Sequence, residues 1–159
     1  MIRKVFYSFH YQKDISRVMI VRNRWVTFGG QKVSGVIDKA DFEKLMRTNE
    51  KNIKNWIDAQ LKDTSATVVL IGAETLKRRF VQYEICQSIN KGNAVIGVYI
   101  HNLKDFSQNI STACDVHTCI GYDNNIPIYF DDIAPIYDYY FDDGYTNLNK
   151  WVDDAVSKL

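Results

Sequence analysis

Cysteine is scarce and odd in number: Cys86, Cys114 and Cys119 are the three in 159 residues. One of them falls in a helical stretch, which argues against a disulfide framework. Proline is scarcer still, at two, and glycine stands at eight, so the chain is neither collagen-like nor low-complexity. Charge of one sign is also missing. Lys+Arg number 20 and Asp+Glu 19, for a net charge of +1. Bulk capture of DNA or RNA needs a basic footprint and is excluded as the main activity. No apolar run approaches the roughly 20 residues of a membrane span. The opening Met1–Ser8 is too short an apolar run for a signal peptide and turns polar over Ser8–Gln12. A cytoplasmic protein is expected by default.

Several motifs are absent as well. No G-x-G-x-x-G follows the first strand pattern, and no G-x-x-x-x-G-K-[ST] occurs, so neither a standard dinucleotide-binding Rossmann domain nor a P-loop is supported. No G-x-S-x-G marks a nucleophile elbow. The apolar run to Ile71 ends in Gly72 rather than a carboxylate, and the first ends in Ser8 and His10, which speaks against a receiver-type phosphoacceptor. Cys114, His117 and Cys119 lie close together, but their spacing matches no standard zinc pattern, and no metal site is expected.

What is present is 46% hydrophobic and 13% aromatic residues, enough for one domain with a substantial core. Arg3–Phe9 reads as a strand, apolar on both faces. Asp14 offers an N-cap for a helix through about Val26, with Ile15, Val18, Met19 and Arg22 at helical spacing. Thr27–Gln31 reads as a loop, Val33–Ile37 as a short strand and Asn49–Leu61 as an amphipathic helix. Thr64–Gly72 is the clearest strand. Arg79–Lys91 is helical with Gly92 as its C-cap. Asn93–Ile100 is the next strand, and Ile126–Phe130, carrying Pro127, suits the last, edge strand. Thr146–Ser157 is the final helix. The alternation predicts one three-layer α/β domain, a mostly parallel sheet of about five strands with helices on both faces. Residues 131–144 hold five Asp, no Lys or Arg, and Tyr137, Tyr139 and Tyr140; they read as a surface loop whose tyrosines pack back onto the domain.

Ligands of such sheets sit at the carboxyl ends of the strands. That rim is expected to collect Ser8, Phe9 and His10, Asp38, Gly72–Glu74 and His101–Asn102. In the helix from Arg79, Val81, Ile85, Ser88 and Ile89 form the inward stripe, and Glu84 falls about 80° from its centre, between core and solvent. Phe80 stands one turn before it. A carboxylate beside an aromatic near the rim is placed for partial desolvation and for chemistry. The plainer reading is a solvated glutamate paired with Lys91 or Gln87.

Three stretches carry a resemblance. They are Val5–Gln12 continuing into Val21–Val26; Val68–Gly72 with Arg78–Ile85 and Ser88–Asn93; and Asp142–Tyr145 followed by Trp151–Val152. Together they resemble TIR-like domains, specifically the TIR-like proteins of the Thoeris anti-phage system. Family members usually have Trp where this chain has Phe80, and residues 102–125 do not match. The resemblance implies a flavodoxin-like/TIR-like fold and an enzyme that uses NAD+ as substrate rather than as a resident cofactor. It implies Glu84 as the catalytic residue. Its product would be a cyclic ADP-ribose isomer, a second messenger that activates a separate effector protein in antiviral defence. Ser8, Phe9 and His10 are plausible substrate contacts; Asn23 and Asp38 are weaker candidates. Arg78 and Arg79 have the geometry to meet a pyrophosphate. Two other readings stay open: a plain NAD+ glycohydrolase, and a non-catalytic nucleotide- or protein-binding module. A homo-oligomer is compatible with all of them.

Overall fold

The computed structural model describes residues 2–28 and 31–159. Gly29 and Gly30 of the expected loop lie outside the described residues. A central sheet is built from β1 (Lys4–Ser8), β2 (Lys32–Ser34), β3 (Ala66–Ile71), β4 (Ala94–Tyr99) and β7 (Ile136–Asp138), all parallel, in the order β2-β1-β3-β4-β7. The α/β architecture expected from the alternating pattern is therefore the one observed.

β3 shows why the middle of the sheet forms. All six of its residues are buried, and consecutive side chains leave on opposite faces. Val68 and Leu70 join Val5, Tyr7, Ile96 and Val98 under α1 (Tyr11–Thr27) and α6 (Gly144–Ser157), where Val18, Trp25, Trp151 and Val152 close the core. Val69 and Ile71 face the other way, onto Val81 and Ile85 of α4 (Arg79–Lys91). On that second face Phe6 meets Ile53, Ile57 and Leu61 of α3 (Glu50–Leu61). Each such side chain, fully buried, contributes about 1.5–3 kcal/mol. Gly92 ends α4 in the left-handed region at φ 89°, as its sequence position suggests. Among the described residues no helix is long and apolar enough to cross a membrane.

The chain passes from β1 to β2 on one side and then to β3 on the other. The strand order thus reverses between β1 and β3, and a crevice opens at their carboxyl ends.

Five features depart from expectation. Asp14 does not cap α1. The helix begins four residues earlier, at Tyr11 with His10 at the cap position, and Asp14 is buried against Arg17. Ile126–Phe130 is not an edge of the main sheet. β6 (Ile126–Tyr129) pairs antiparallel with β5 (Cys119–Asp123) in a separate hairpin, turned by Asn124 and Asn125, both at positive φ. The short α5 (Phe130–Ile133) follows, and the edge strand is β7. That strand lies inside the stretch read as a loop, although Tyr139 does pack into the core and Tyr137 stacks on Trp151 at 4.3 Å. A further helix, α2 (Lys39–Met46), fills the gap between the second strand and α3; its apolar positions Phe42, Leu45 and Met46 span a single turn, and none of its residues is fully buried. Ile89, placed in the inward stripe of α4, is 40% exposed.

Candidate active site

Glu84 is held by three neighbours. Its backbone carbonyl accepts the Ser88 hydroxyl at 2.6 Å, and Ser88 in turn shares a 2.6 Å hydrogen bond with Thr67 of β3. This pins the middle of α4 to the central strand. The Glu84 side chain then reaches across to the end of β1, where Ser8 donates its hydroxyl to Oε1 at 2.7 Å. Glu84 is only 9% exposed. The plainer pairing does not form: Lys91 donates to the Thr64 carbonyl and to Asn93, and Gln87 donates to Asp58.

No salt bridge forms at Glu84 among the described residues, so burial dominates its ionisation. Burial pushes the carboxyl up to about 8, with the Ser8 hydrogen bond pulling the other way. The cost of an uncompensated buried charge is thereby avoided by holding a proton.

Glu84 opens onto a pocket between the end of β1 and the helices α2 and α3. Its walls include Phe9, Tyr11, Ile37, Phe42, Met46 and Trp56, and it encloses about 60 Å³. Tyr11 and Phe42 stack face to face in its wall, 4.0 Å between centroids and 7° from parallel. The pocket is therefore an aromatic and aliphatic chamber with one carboxyl group in its wall. Gly35 at φ 85° allows the β2 end to pass close to the Tyr7 carbonyl; a Cβ there would lie 2.7 Å from that oxygen.

Of the residues named from sequence, Phe9 and Glu84 line this pocket, and Ser8 stands fully buried behind Glu84. His10 is adjacent but turns to the β1–β3 crevice, beside Lys13, Glu74 and Arg78. Asp38 follows the pocket residue Ile37 but does not line the pocket; its carboxylate caps α2 by accepting from the Asp41 amide at 2.8 Å. Asn23 does not join the group. It is exposed on α1 twelve residues after Tyr11, about 18 Å down the helix from the rim, and its amide oxygen accepts from Arg22. Arg79 turns to Glu50 at 3.2 Å and lies over the Phe80 ring. Cys114, His117 and Cys119 diverge: Cys114 is in the core, Cys119 donates to the Gly121 carbonyl, and His117 bonds Asp131 at 2.8 Å while stacking on Tyr129. Sequence reading missed Phe42 and Trp56 as pocket walls. Trp56 was legible as an apolar position of α3, but Phe42 lies on α2, a two-turn helix with no fully buried residue.

With this geometry in hand, similarity to known proteins becomes informative. Residues 6–105 match the family model described as Thoeris protein ThsB, TIR-like domain. A protein of Bacillus cereus (strain MSX-D12), named "Putative cyclic ADP-D-ribose synthase ThsB1", is 35% identical, the match covering 96% of this chain and 100% of the relative. That match runs over 192 positions, so the relative carries insertions this chain lacks. The residues matched by the family model include the end of β1, all of α4 and the Ser8–Glu84 pair. The chain belongs to the Thoeris ThsB family of TIR-like domain proteins.

Proposed function

We propose that this chain consumes NAD+, releases nicotinamide and closes the remaining ADP-ribose on itself to a cyclic isomer. One observation carries the reading: a buried carboxyl group, without a counter-charge, in the wall of an apolar pocket at the carboxyl end of the sheet. The named activity of the Bacillus cereus relative points the same way.

The chemistry suits the site. The bond from ribose C1′ to the pyridinium nitrogen breaks with its electron pair going to nitrogen, so nicotinamide leaves neutral. C1′ is left oxocarbenium-like and positive, as in glycoside cleavage. A carboxylate fixed nearby in a low-dielectric wall stabilises that charge. Burial favours the protonated form of Glu84, yet the reaction needs the anion. The substrate supplies what is missing. Its pyridinium brings a positive charge into the pocket, which favours the ionised form and lowers the Glu84 pKa on binding. Ser8 keeps the carboxylate aimed, and Phe9 offers a face for the nicotinamide ring. An oxygen or nitrogen of the same molecule then attacks C1′ and releases a proton. Apolar walls keep water from that step and favour closure over hydrolysis.

The enclosed volume is far below the roughly 300–1,000 Å³ of ordinary ligand sites, so α2 must yield for the substrate to enter. None of its residues is fully buried, and the Phe42–Tyr11 stack is the contact that has to open. NAD+ serves as substrate, and no resident cofactor enters the scheme. The cyclic product leaves as a diffusible signal for a separate, product-activated effector.

The test is mass-resolved chromatography of NAD+ incubated with the protein, alone and in lysate of phage-infected cells. Nicotinamide and a product one water lighter than ADP-ribose are expected, with Glu84→Gln lowering the rate by about 10²–10³. ADP-ribose alone would make it a glycohydrolase. No turnover in either setting would leave a binding module.

A further inference from the structure

The β1–β3 crevice carries a second cluster, which the chemistry at Glu84 does not use. α1 starts here with no side-chain cap on its first amides, and its positive end faces the crevice. His10, at the cap position, is 8% exposed, and its ring makes no hydrogen bond among the described residues. Burial, together with Arg78 and Lys13, lowers its pKa against the opposing effect of Glu74, so the ring is neutral, with one N–H to donate. Lys13 and Arg78 both pair with Glu74, one on each carboxylate oxygen. Two cations from different elements thus converge on one small anionic group. Asp14, in the same turn, is matched by Arg17.

Glu74 occupies the place of an anion. It is a carboxylate on a partly exposed turn, with a side chain 32% exposed, and it engages donors that a larger anion would use better. A buried imidazole with no partner stands beside it. We propose that this crevice binds the diphosphate of the dinucleotide, with His10, Lys13 and Arg78 donating to its oxygens over the amino end of α1 while Glu74 swings out to solvent. The inference rests on the reading of the chain as NAD+-consuming. A diphosphate offers more charge and more acceptors than one carboxylate, and Arg meets it with two parallel N–H groups. The reversal of strand order is where open α/β sheets hold such ligands. Phe9 and His10 are consecutive, so one β1–α1 connection would hold the nicotinamide riboside on one side and the diphosphate on the other.

The experiment is calorimetric titration of the full chain with ADP-ribose, inorganic pyrophosphate and nicotinamide riboside. Lys13→Gln and Arg78→Gln are surface changes that leave folding intact. Each is expected to weaken ADP-ribose and pyrophosphate at least tenfold and to leave nicotinamide riboside unchanged. Glu74→Gln should tighten both phosphate ligands threefold or more, because it releases two cations; a merely structural Glu74 would give the opposite sign. Unchanged pyrophosphate and ADP-ribose affinities in the Lys13 and Arg78 variants, or no binding of either probe to the wild type, would overturn the site. The two readings separate cleanly. Charge-dependent binding without NAD+ turnover keeps the crevice and removes the activity. Turnover with unaltered KM in all three variants keeps the activity and removes the crevice.

Discussion

Two carboxyl groups are buried at the carboxyl end of this sheet, and their surroundings differ. Asp14 on α1 is 1% exposed and Glu84 on α4 is 9% exposed. Burial raises both pKa values. At Asp14 a cation opposes that rise: Arg17 donates to Oδ1 at 3.3 Å. Arg17 also donates to the carbonyls of Leu103 and Asn109 at 2.8 and 2.9 Å, so the pair ties the segment after β4 to α1. Gly72 makes room for it, since a Cβ there would collide with the Asp14 carboxylate. At Glu84 only a hydroxyl opposes the rise. Asp14 has a counter-charge inside the protein, in Arg17. Glu84 has none among the described residues, so a match for its charge has to come from outside.

The comparison breaks first at Asp14. Asp14→Asn leaves Arg17 buried with only Asp105, at 3.6 Å, as counter-charge. A loss of about 3–5 kcal/mol is expected, seen as a fall of about 10 °C in Tm. A drop under 2 °C would mean that Arg17 does not need this partner.

At Glu84 the sign reverses with pH. From the ordinary 4.5 to the native value of about 8, the folded chain keeps a proton that the unfolded chain releases. Stability is thus lost as pH rises through that window, by up to about 1.4 kcal/mol per unit. Glu84→Gln never ionises. It should match the wild type near pH 4 and exceed it by about 2–4 kcal/mol at pH 8, measured by denaturant unfolding at both values. Equal differences at the two pH values would contradict a raised pKa.

The smallest effect sharpens the comparison. Ser8→Ala removes the one hydrogen bond that favours the ionised carboxylate. The rising limb of kcat/KM against pH should move about one unit to the alkaline side, with kcat at high pH little changed. An unmoved limb would assign that titration to another group.

Much of this was legible in the sequence where burial is two-sided or a stripe is long. β3 announced itself as an unbroken apolar run, and Gly92 fixed the end of α4. Glu84 was visible as a border position, but periodicity cannot tell solvent from a hydroxyl 76 residues away, and Ser8 decides that question. Asp14 misled because an acidic residue before an apolar stripe is the usual capping signal; it is buried by a pairing that only Arg17 and the Gly72 backbone explain. β7 is three residues long and follows Pro135, too short for a pattern. The β5–β6 hairpin did have a signal in Asn124-Asn125, since Asn tolerates the left-handed turn conformation. The Asp-rich stretch looked like a surface feature, yet Asp138 accepts from the Tyr140 and Phe141 amides and Asp143 caps α6. The Asp131-to-Asp143 acids are spent largely on folding the chain.

The path from β4 to β7 leaves the sheet and comes back beside it, and Phe130 anchors the return: a Cβ on Gly97 of β4 would lie 2.7 Å from its ring. Everything between is an excursion closed by that plug at one end and by the Arg17 strap near the other. Closing a loop costs only logarithmically more as it lengthens. The segment is therefore a place where this architecture can gain or shed tens of residues while the strands, and the carboxyl group they position, stay in register.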